Sequence, residues 1–491
     1  MRKDAVLRNT RALVFCLVAS ALGLLFCSQC SPLYPLNIWG DANCLLTVGR
    51  VMREGGVLYR DIYEQKGPTL YLLHAVAAWM ADDSFLGVYV LEVIAFAAAL
   101  FFAWRIAARS ARNTAQMPLL AALALLTACV LTSASFSRGD SAEEFCLPLL
   151  LGVMDIALAG YEAGKGPLSY GRLLACGVLA GVVATIKYTL LGLLIGLCVC
   201  EGIWAIRQGG LIRAFKSAGV FLLGMLLPLL AWGMYFAWHG ALGDALKAYV
   251  INNVFLYSTE ESATVKDALR ILRDNALWAL PALAGTAFCV LSRRACKEVR
   301  LCLLMMAVGQ ASTVFLLGRV WPYSPLAMAP FAALAVAAAA QLDWAARIRC
   351  AGLRHAACAV VCLAALLLAW VGTPNAFLRG QKLEDLAQGR LAGYIEPGAT
   401  LLQYSHLDDG LYLTSGTLPT EKYFVRLNVD DPQMQAELDR YVREAIPDYV
   451  LVTWRELPAE FDRYQLVATD AGYDERNRIN KLFYLYRRKG E

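Results

Sequence analysis

Apolar runs of about 17–22 residues recur along this chain, each matching the roughly 20 residues an α-helix needs to cross a hydrocarbon layer. About eleven are legible, near 12–30, 84–104, 117–136, 144–161, 172–187, 189–206, 217–238, 276–292, 301–318, 324–342 and 355–372. With 58% hydrophobic residues over 491 positions, the chain is predicted to be an all-α polytopic membrane protein over 1–372. The first run follows Arg2, Lys3, Arg8 and Arg11 and has the outline of a signal peptide. Cys27-Ser-Gln-Cys30 is a poor cleavage site and further spans follow, so an uncleaved first helix is expected.

Orientation follows from Lys and Arg in the short loops. With a cytoplasmic N-terminus, loops 105–116 (Arg105, Arg109, Arg112), 207–216 (Arg207, Arg213, Lys216), 293–300 (Arg293, Arg294, Lys297, Arg300) and 343–354 (Arg347, Arg349, Arg354) fall inside. The short outer loops hold about one cation each, Arg138, Lys187 and Arg319, which is the positive-inside asymmetry. About eleven spans then place everything from 373 onward on the extracytoplasmic face of the cell membrane. The overall +5 therefore reflects topology and gives no support for a nucleic-acid partner.

Residues 373–491 differ in kind. They carry 15 Lys/Arg against 19 Asp/Glu, a net of −4, and none of the 15 cysteines. The tail reads as a small α/β domain: a strand from Thr400 to Tyr404, a helix near 432–445, a strand at 448–453 and a last strand at 482–486. Most cysteines lie within spans as small soft packing residues. Cys30 and Cys44 alone can meet outside, and unpaired thiols are expected there.

Between the first two spans lies a long polar stretch, and a long loop inside a compact domain is usually functional. Asp41 precedes a short helix with apolar Leu45, Val48 and Met52, ended by Gly55-Gly56. A turn, Tyr59-Arg60-Asp61-Ile-Tyr-Glu-Gln-Lys66, leads to Pro68 and an apolar stretch to Met80. At about twelve residues that stretch is too short to span and suits a helix lying in the interface. Taken alone, Asp41 reads as an N-cap, Lys66 equally as a snorkelling lysine, and His74 as a packed interfacial residue.

A second outer loop, Ser137-Arg138-Gly-Asp140-Ser-Ala-Glu143-Glu144, sets one Arg and three carboxylates at the mouth of two spans. Its plain reading is a helix start, with Asp140 or Ser141 capping and the glutamates favoured by the macrodipole. Lys187 and the Arg319-Val-Trp321-Pro-Tyr323 group stand at the outer ends of other spans, where ionisable groups point to function and aromatics to an interfacial belt. Under the charge-derived topology Asp41, Lys66, Asp140, Lys187 and Arg319 share one surface. Acids and cations together at headgroup level suit a substrate with phosphates and a lipid tail.

This arrangement resembles the GT-C superfamily of integral-membrane glycosyltransferases, in its bacterial family-39/83-like branch with the aminoarabinose transferases and protein O-mannosyltransferases. The match is carried by Asp41, the helix ending Arg50-Val-Met-Arg-Glu-Gly-Gly, then Tyr59-Arg-Asp and Lys66-Gly-Pro-Thr-Leu-Tyr, and is strongest over 35–190. Relatives often read Lys-Pro-Pro-Leu at that step, so Gly67 departs from the pattern. The resemblance implies an inverting hexosyl- or pentosyltransferase using a polyprenyl-phosphate sugar donor. It places the catalytic base at Asp41 and a second acid at Asp140, with Glu143 as fallback. Lys66 becomes the donor-phosphate ligand, joined by Arg138, Lys187, Arg319 and Tyr323, and Tyr59, Arg60 and Glu143 become donor or acceptor contacts. No cofactor is firmly implied; a divalent cation occurs in some relatives.

The residue types agree with such chemistry: a positioned carboxylate can take the proton of an attacking hydroxyl, and cations can stabilise a leaving phosphate. The sequence holds no Gly-rich phosphate loop and no metal cluster. Competing readings are a transporter or flippase of lipid-linked sugars, which would favour paired half-repeats absent here, and a wall-glycan ligase or polymerase. The acceptor, whether lipid, protein or glycan, has no diagnostic motif; the loop 239–275 and the tail are expected to select it.

Overall fold

The computed structural model describes the chain except residues 1, 112–115, 165, 257–263, 317–319, 342–347, 349, 429–430, 475–478 and 491. Arg319, Arg112, Arg347 and Arg349, singled out above, lie outside the described residues. The chain forms two units: Met1–Ser28 with Glu92–Trp232 and Thr259–Phe377, and Gln29–Leu91 with Gly233–Ser258 and Leu378–Glu491.

In chain order the first helices are α1 (Arg2–Cys27), α2 (Gly40–Arg53), α3 (Pro68–Met80), α4 (Leu86–Ser110), α5 (Gln116–Leu131), α6 (Ala142–Gly164), α7 (Tyr170–Lys187) and α8 (Gly192–Trp238). Further apolar helices run over Ala276–Leu291, Lys297–Phe315 and Ala351–Gly372. Among the described residues seven helices are long and apolar enough to cross a membrane, or eight if the bent pair ending at Leu291 is one span. The expected count of about eleven is therefore not reached by length and composition. One reason is that the segments near 189–206 and 217–238 are the two helical halves of α8, which meet at a kink at Gly210 (φ 68°) and count there as one. The loop expected at 207–216 is thus helical apart from that kink. Another is that α5 has only 16 residues.

The first unit packs by close approach of small residues, as helices in an apolar surrounding do. A Cβ at Gly177 would lie 2.1 Å from the Phe221 carbonyl oxygen, and one at Gly181 2.3 Å from that of Met225. Gly177 and Gly181, one turn apart on α7, thereby let the second half of α8 lie directly against it.

The second unit gathers the first loop, residues 233–258 and the tail. Its α2 and α3 pack so tightly that a Cβ at Gly49 would meet the His74 backbone at 2.4 Å. His74 itself is buried, with Nδ1 2.8 Å from the Leu70 carbonyl, a packed residue as expected. Gly67 caps α3 and Pro68 occupies its first turn, where a missing N–H costs nothing. Gly55, at φ 93°, follows the end of α2.

The tail holds a four-stranded sheet in the order β1-β2-β4-β3, with β1 Leu401–Gln403, β2 Tyr449–Thr453, β3 Tyr464–Asp474 and β4 Ile479–Arg488. β1 and β2 are parallel, with Leu402 opposite Val450, and β4 runs antiparallel to both β2 and β3. β2 is buried along its whole length, which fits its unbroken Tyr-Val-Leu-Val run. Helix Pro432–Arg443 buries Met434, Leu438, Tyr441 and Val442, one helical face, and starts on Asp431, which accepts from the Gln433 N–H. β3 went unread because Ala-Thr-Asp-Ala-Gly breaks the alternation expected of a strand; it is an edge strand with a register shift between Leu466 and Ala468.

Candidate active site

α2 carries an acid in its first turn. The helix starts at Gly40 with Trp39 as its N-cap and no side-chain capping bond, so Asp41 belongs to the first turn and is not the cap. Its Oδ1 instead faces the Lys66 ammonium at 3.4 Å. A carboxylate in a first turn is favoured by the helix dipole in any case.

Lys66 is shared between two acids. Its Nζ donates to Glu64 Oε1 at 3.0 Å, closer than to Asp41, and its backbone N–H donates to Glu64 Oε2 at 2.9 Å. The Glu64 side chain is 1% exposed, against 18% for Lys66 and 15% for Asp41. Burial pulls the Lys66 ammonium down, but the charges of Asp41 and Glu64 outweigh it, and the group is held well above the ordinary lysine range. The cation is therefore permanent, and it and Asp41 reach solvent while Glu64 does not.

The turn that carries Lys66 is fixed from several sides. Tyr59, buried and at φ 69°, donates its hydroxyl to the Lys66 carbonyl at 2.6 Å, and its ring packs on Phe236. Burial pushes the Tyr59 phenol well up, so it is a fixed donor. Asn252 donates to the Tyr63 hydroxyl and Asn253 to the Gln65 carbonyl, each at 2.7 Å. Asn252 and Asn253, within the loop 239–275 expected to help select the acceptor, thus brace the lysine turn. Arg60 is exposed, pairs with Asp61 and donates to the His239 carbonyl.

The tail reaches the same helix. Asp408, fully buried, accepts from Thr47 Oγ1 at 2.6 Å and from the Gly410 N–H at 2.8 Å, and Arg50 donates to the Tyr412 and Thr417 carbonyls. Burial pushes the Asp408 carboxyl up to about 6. A Cβ at Gly40 would sit 2.9 Å from Leu407 Cβ, so segment 406–408 lies against the residue before Asp41. His406 is held below its ordinary range by burial and then by Lys481. Cys30 and Cys44 are buried and not bridged to each other: Cys30 Sγ accepts from Asn37 Nδ2 and Cys44 Sγ from the Asp408 N–H, each at 3.3 Å.

The other candidates lie in the first unit. Ser141 Oγ accepts from the Glu144 N–H at 3.2 Å and caps α6, as expected of this stretch. Asp140 is buried at φ 60°, and its N–H is shared by Glu92 Oε1 at 2.8 Å and Glu144 Oε2 at 3.1 Å. Ser28 Oγ donates to Glu92 Oε2 at 2.7 Å. Lys187, the last residue of α7, donates to buried Glu143 Oε1 at 2.7 Å and stands 5.2 Å from the Tyr323 ring centroid. Arg138 is half-buried in the same loop. Among the described residues no group of three or more His, Cys, Asp or Glu side chains is arranged to hold a metal ion.

The structure thus joins Asp41 to Lys66 in one unit, and Glu143 to Lys187 and Tyr323 in the other. Sequence reasoning missed Glu64, His406 and Asp408. The signal for Glu64 was available: an acid two residues before a lysine in a tight turn can fold back on it.

No protein family matches this chain by sequence, and no curated protein matches it either. Solved structures do. The crystal structure of ArnT from Cupriavidus metallidurans bound to undecaprenyl phosphate matches with a TM-score of 0.58 at 14% identity, covering 98% of this chain and 98% of that one. The apo crystal structure of the same protein matches with a TM-score of 0.55 at 13% identity over 99% and 98%. This chain therefore shares the fold of those ArnT structures. The likeness runs through the helical part and the tail together, so the tail is part of the shared architecture.

Proposed function

We propose that this protein is a membrane glycosyltransferase that moves a sugar from a polyprenyl-phosphate donor to an acceptor hydroxyl on the extracytoplasmic face. The observation that carries this reading is the Asp41–Lys66–Glu64 group: a braced, permanent cation beside a partly exposed carboxylate. The full-length likeness to a protein seen with undecaprenyl phosphate supports a donor of that class. The N-terminus is then cytoplasmic and the tail extracytoplasmic, as the Lys/Arg asymmetry suggests.

In the proposed reaction Lys66 holds the donor phosphate and Glu64 holds Lys66. The acceptor oxygen attacks the anomeric carbon, a carbon–oxygen bond forms there, and the bond from that carbon to the phosphate oxygen breaks with inversion. Asp41 takes the acceptor proton, and the polyprenyl phosphate leaves with the bonding electrons, its charge stabilised by Lys66. Lys187, seated between Glu143 and the Tyr323 ring, is a further candidate phosphate contact, and Asp140 is the reserve carboxylate. No metal step enters this scheme.

The test is incubation of the purified protein with a radiolabelled polyprenyl-phosphate sugar and envelope extract. Covalent label in extract material, with free polyprenyl phosphate released in equal amount, is expected. Label that crosses the wall of a sealed vesicle while still attached to lipid would instead assign transport.

A further inference from the structure

Trp454 departs from what its position in the fold calls for. It follows the fully buried β2 yet is 40% exposed, and its backbone is left-handed at φ 70°. Glycine is the usual residue at such angles, because Cβ clashes there in every other L-residue. Burial of the ring does not offset that strain, and strained residues of this sort gather at functional sites.

The surroundings have the mixed chemistry that binds sugars. The Lys481 ammonium stands 5.8 Å from the Trp454 ring centroid and 5.5 Å from that of Phe483, and pairs with Asp409. Thr453 donates its N–H to Ser405 Oγ at 2.7 Å, tying the residue before Trp454 to the residue before His406, and His406 feels the charges of Lys481, Asp409 and Asp41. The next residue, Leu407, is the one that abuts Gly40 and so the turn holding Asp41. An exposed indole offers a flat apolar face for the C–H side of a pyranose ring. The Lys481 ammonium over the ring, the Asp409 carboxylate paired with it and the His406 imidazole can exchange hydrogen bonds with the hydroxyls.

We propose that Trp454, with Lys481, Asp409 and His406, forms a platform on the tail that seats a saccharide ring of the acceptor next to Asp41. This rests on the transfer reading above, and the two can fail separately.

The decisive variant is Trp454→Gly in the full-length protein, because glycine removes the ring and suits the backbone. Its melting temperature should equal or exceed that of wild type. In the radiolabel assay it should lose at least tenfold in transfer to extract while releasing free sugar to water at an unchanged rate; Trp454→Phe should keep much of the transfer. Binding of cellotetraose, maltotetraose and chitotetraose, followed by saturation-transfer NMR, needs no turnover. Wild type should bind at least one of them and Trp454→Gly none. Equal transfer by wild type and Trp454→Gly overturns the platform, as does equal binding or binding of none by wild type. Platform binding without any transfer by wild type would overturn the transfer reading alone.

Discussion

Two polar clusters in this molecule use carboxylates in opposite ways. Around Lys66, Asp41 and Glu64 approach one ammonium at 3.4 and 3.0 Å, so opposite charges stabilise each other while Asp41 stays partly open to solvent. Around Asp140, Glu92 and Glu144 share a backbone N–H, and all three acids are buried. The first arrangement presents a charge pair to a ligand. The second satisfies a strained turn, with Gly139 at φ 81° and Asp140 at φ 60°, before α6. Acid count alone would rank the second loop higher; the partners of each acid reverse that ranking. A carboxylate is a candidate base when its neighbours leave an oxygen accessible.

The largest expected effect separates the two clusters. Asp41→Asn should slow transfer by about a hundred- to ten-thousand-fold, the usual range for a lost general base. Turnover of the purified variant measures this. Lys66→Ala should raise the donor KM by about ten- to a hundredfold, the worth of a charged hydrogen bond, and leave residual activity less salt-sensitive. Donor titrations at two ionic strengths check it.

A third prediction concerns how the tail holds α2. Burial raises the Asp408 carboxyl from 3.8 to about 6, and the bonds from Thr47, Gly410 and Gln403 oppose this only in part. A raised carboxyl favours the protonated folded state. Its contribution to stability is therefore fully present below the unfolded value and is lost as pH rises through about 6. Wild type minus Asp408→Asn should gain about 2 kcal/mol of stability between pH 7 and pH 4. Denaturant melts of both proteins at each pH would show it, and a flat difference would refute the linkage. The smallest effect is reserved for Asp140→Asn, expected to cost less than about tenfold in turnover, because Asp140 is buried and its backbone N–H is what Glu92 and Glu144 hold.

Much of this was legible in the sequence. Gly55-Gly56 and Pro68 bounded α2 and α3 because glycine and proline act through local backbone geometry. β2 could be read from its apolar run and helix Pro432–Arg443 from its periodicity. What could not be read depends on contacts distant in sequence. Asp41 looked like a cap because capping is a local pattern; only the fold sets Lys66 opposite it and Trp39 at the cap. Asp408 lies 361 residues from its partner Thr47, and no local pattern announces that bond. β3 was hidden because an edge strand tolerates Gly and Asp that a central strand does not. Gly210 breaks α8 between two expected spans, because glycine tolerates φ 68° there.

The central claim is that Asp41 takes the proton while Lys66 holds the phosphate. The most direct test measures turnover of Asp41→Asn with its affinity for undecaprenyl phosphate as the control. Asp41→Asn should fold and bind the lipid phosphate at least as tightly as wild type, since a nearby negative charge is gone, yet transfer at least about a hundredfold more slowly. Near-normal transfer by that variant would contradict the claim.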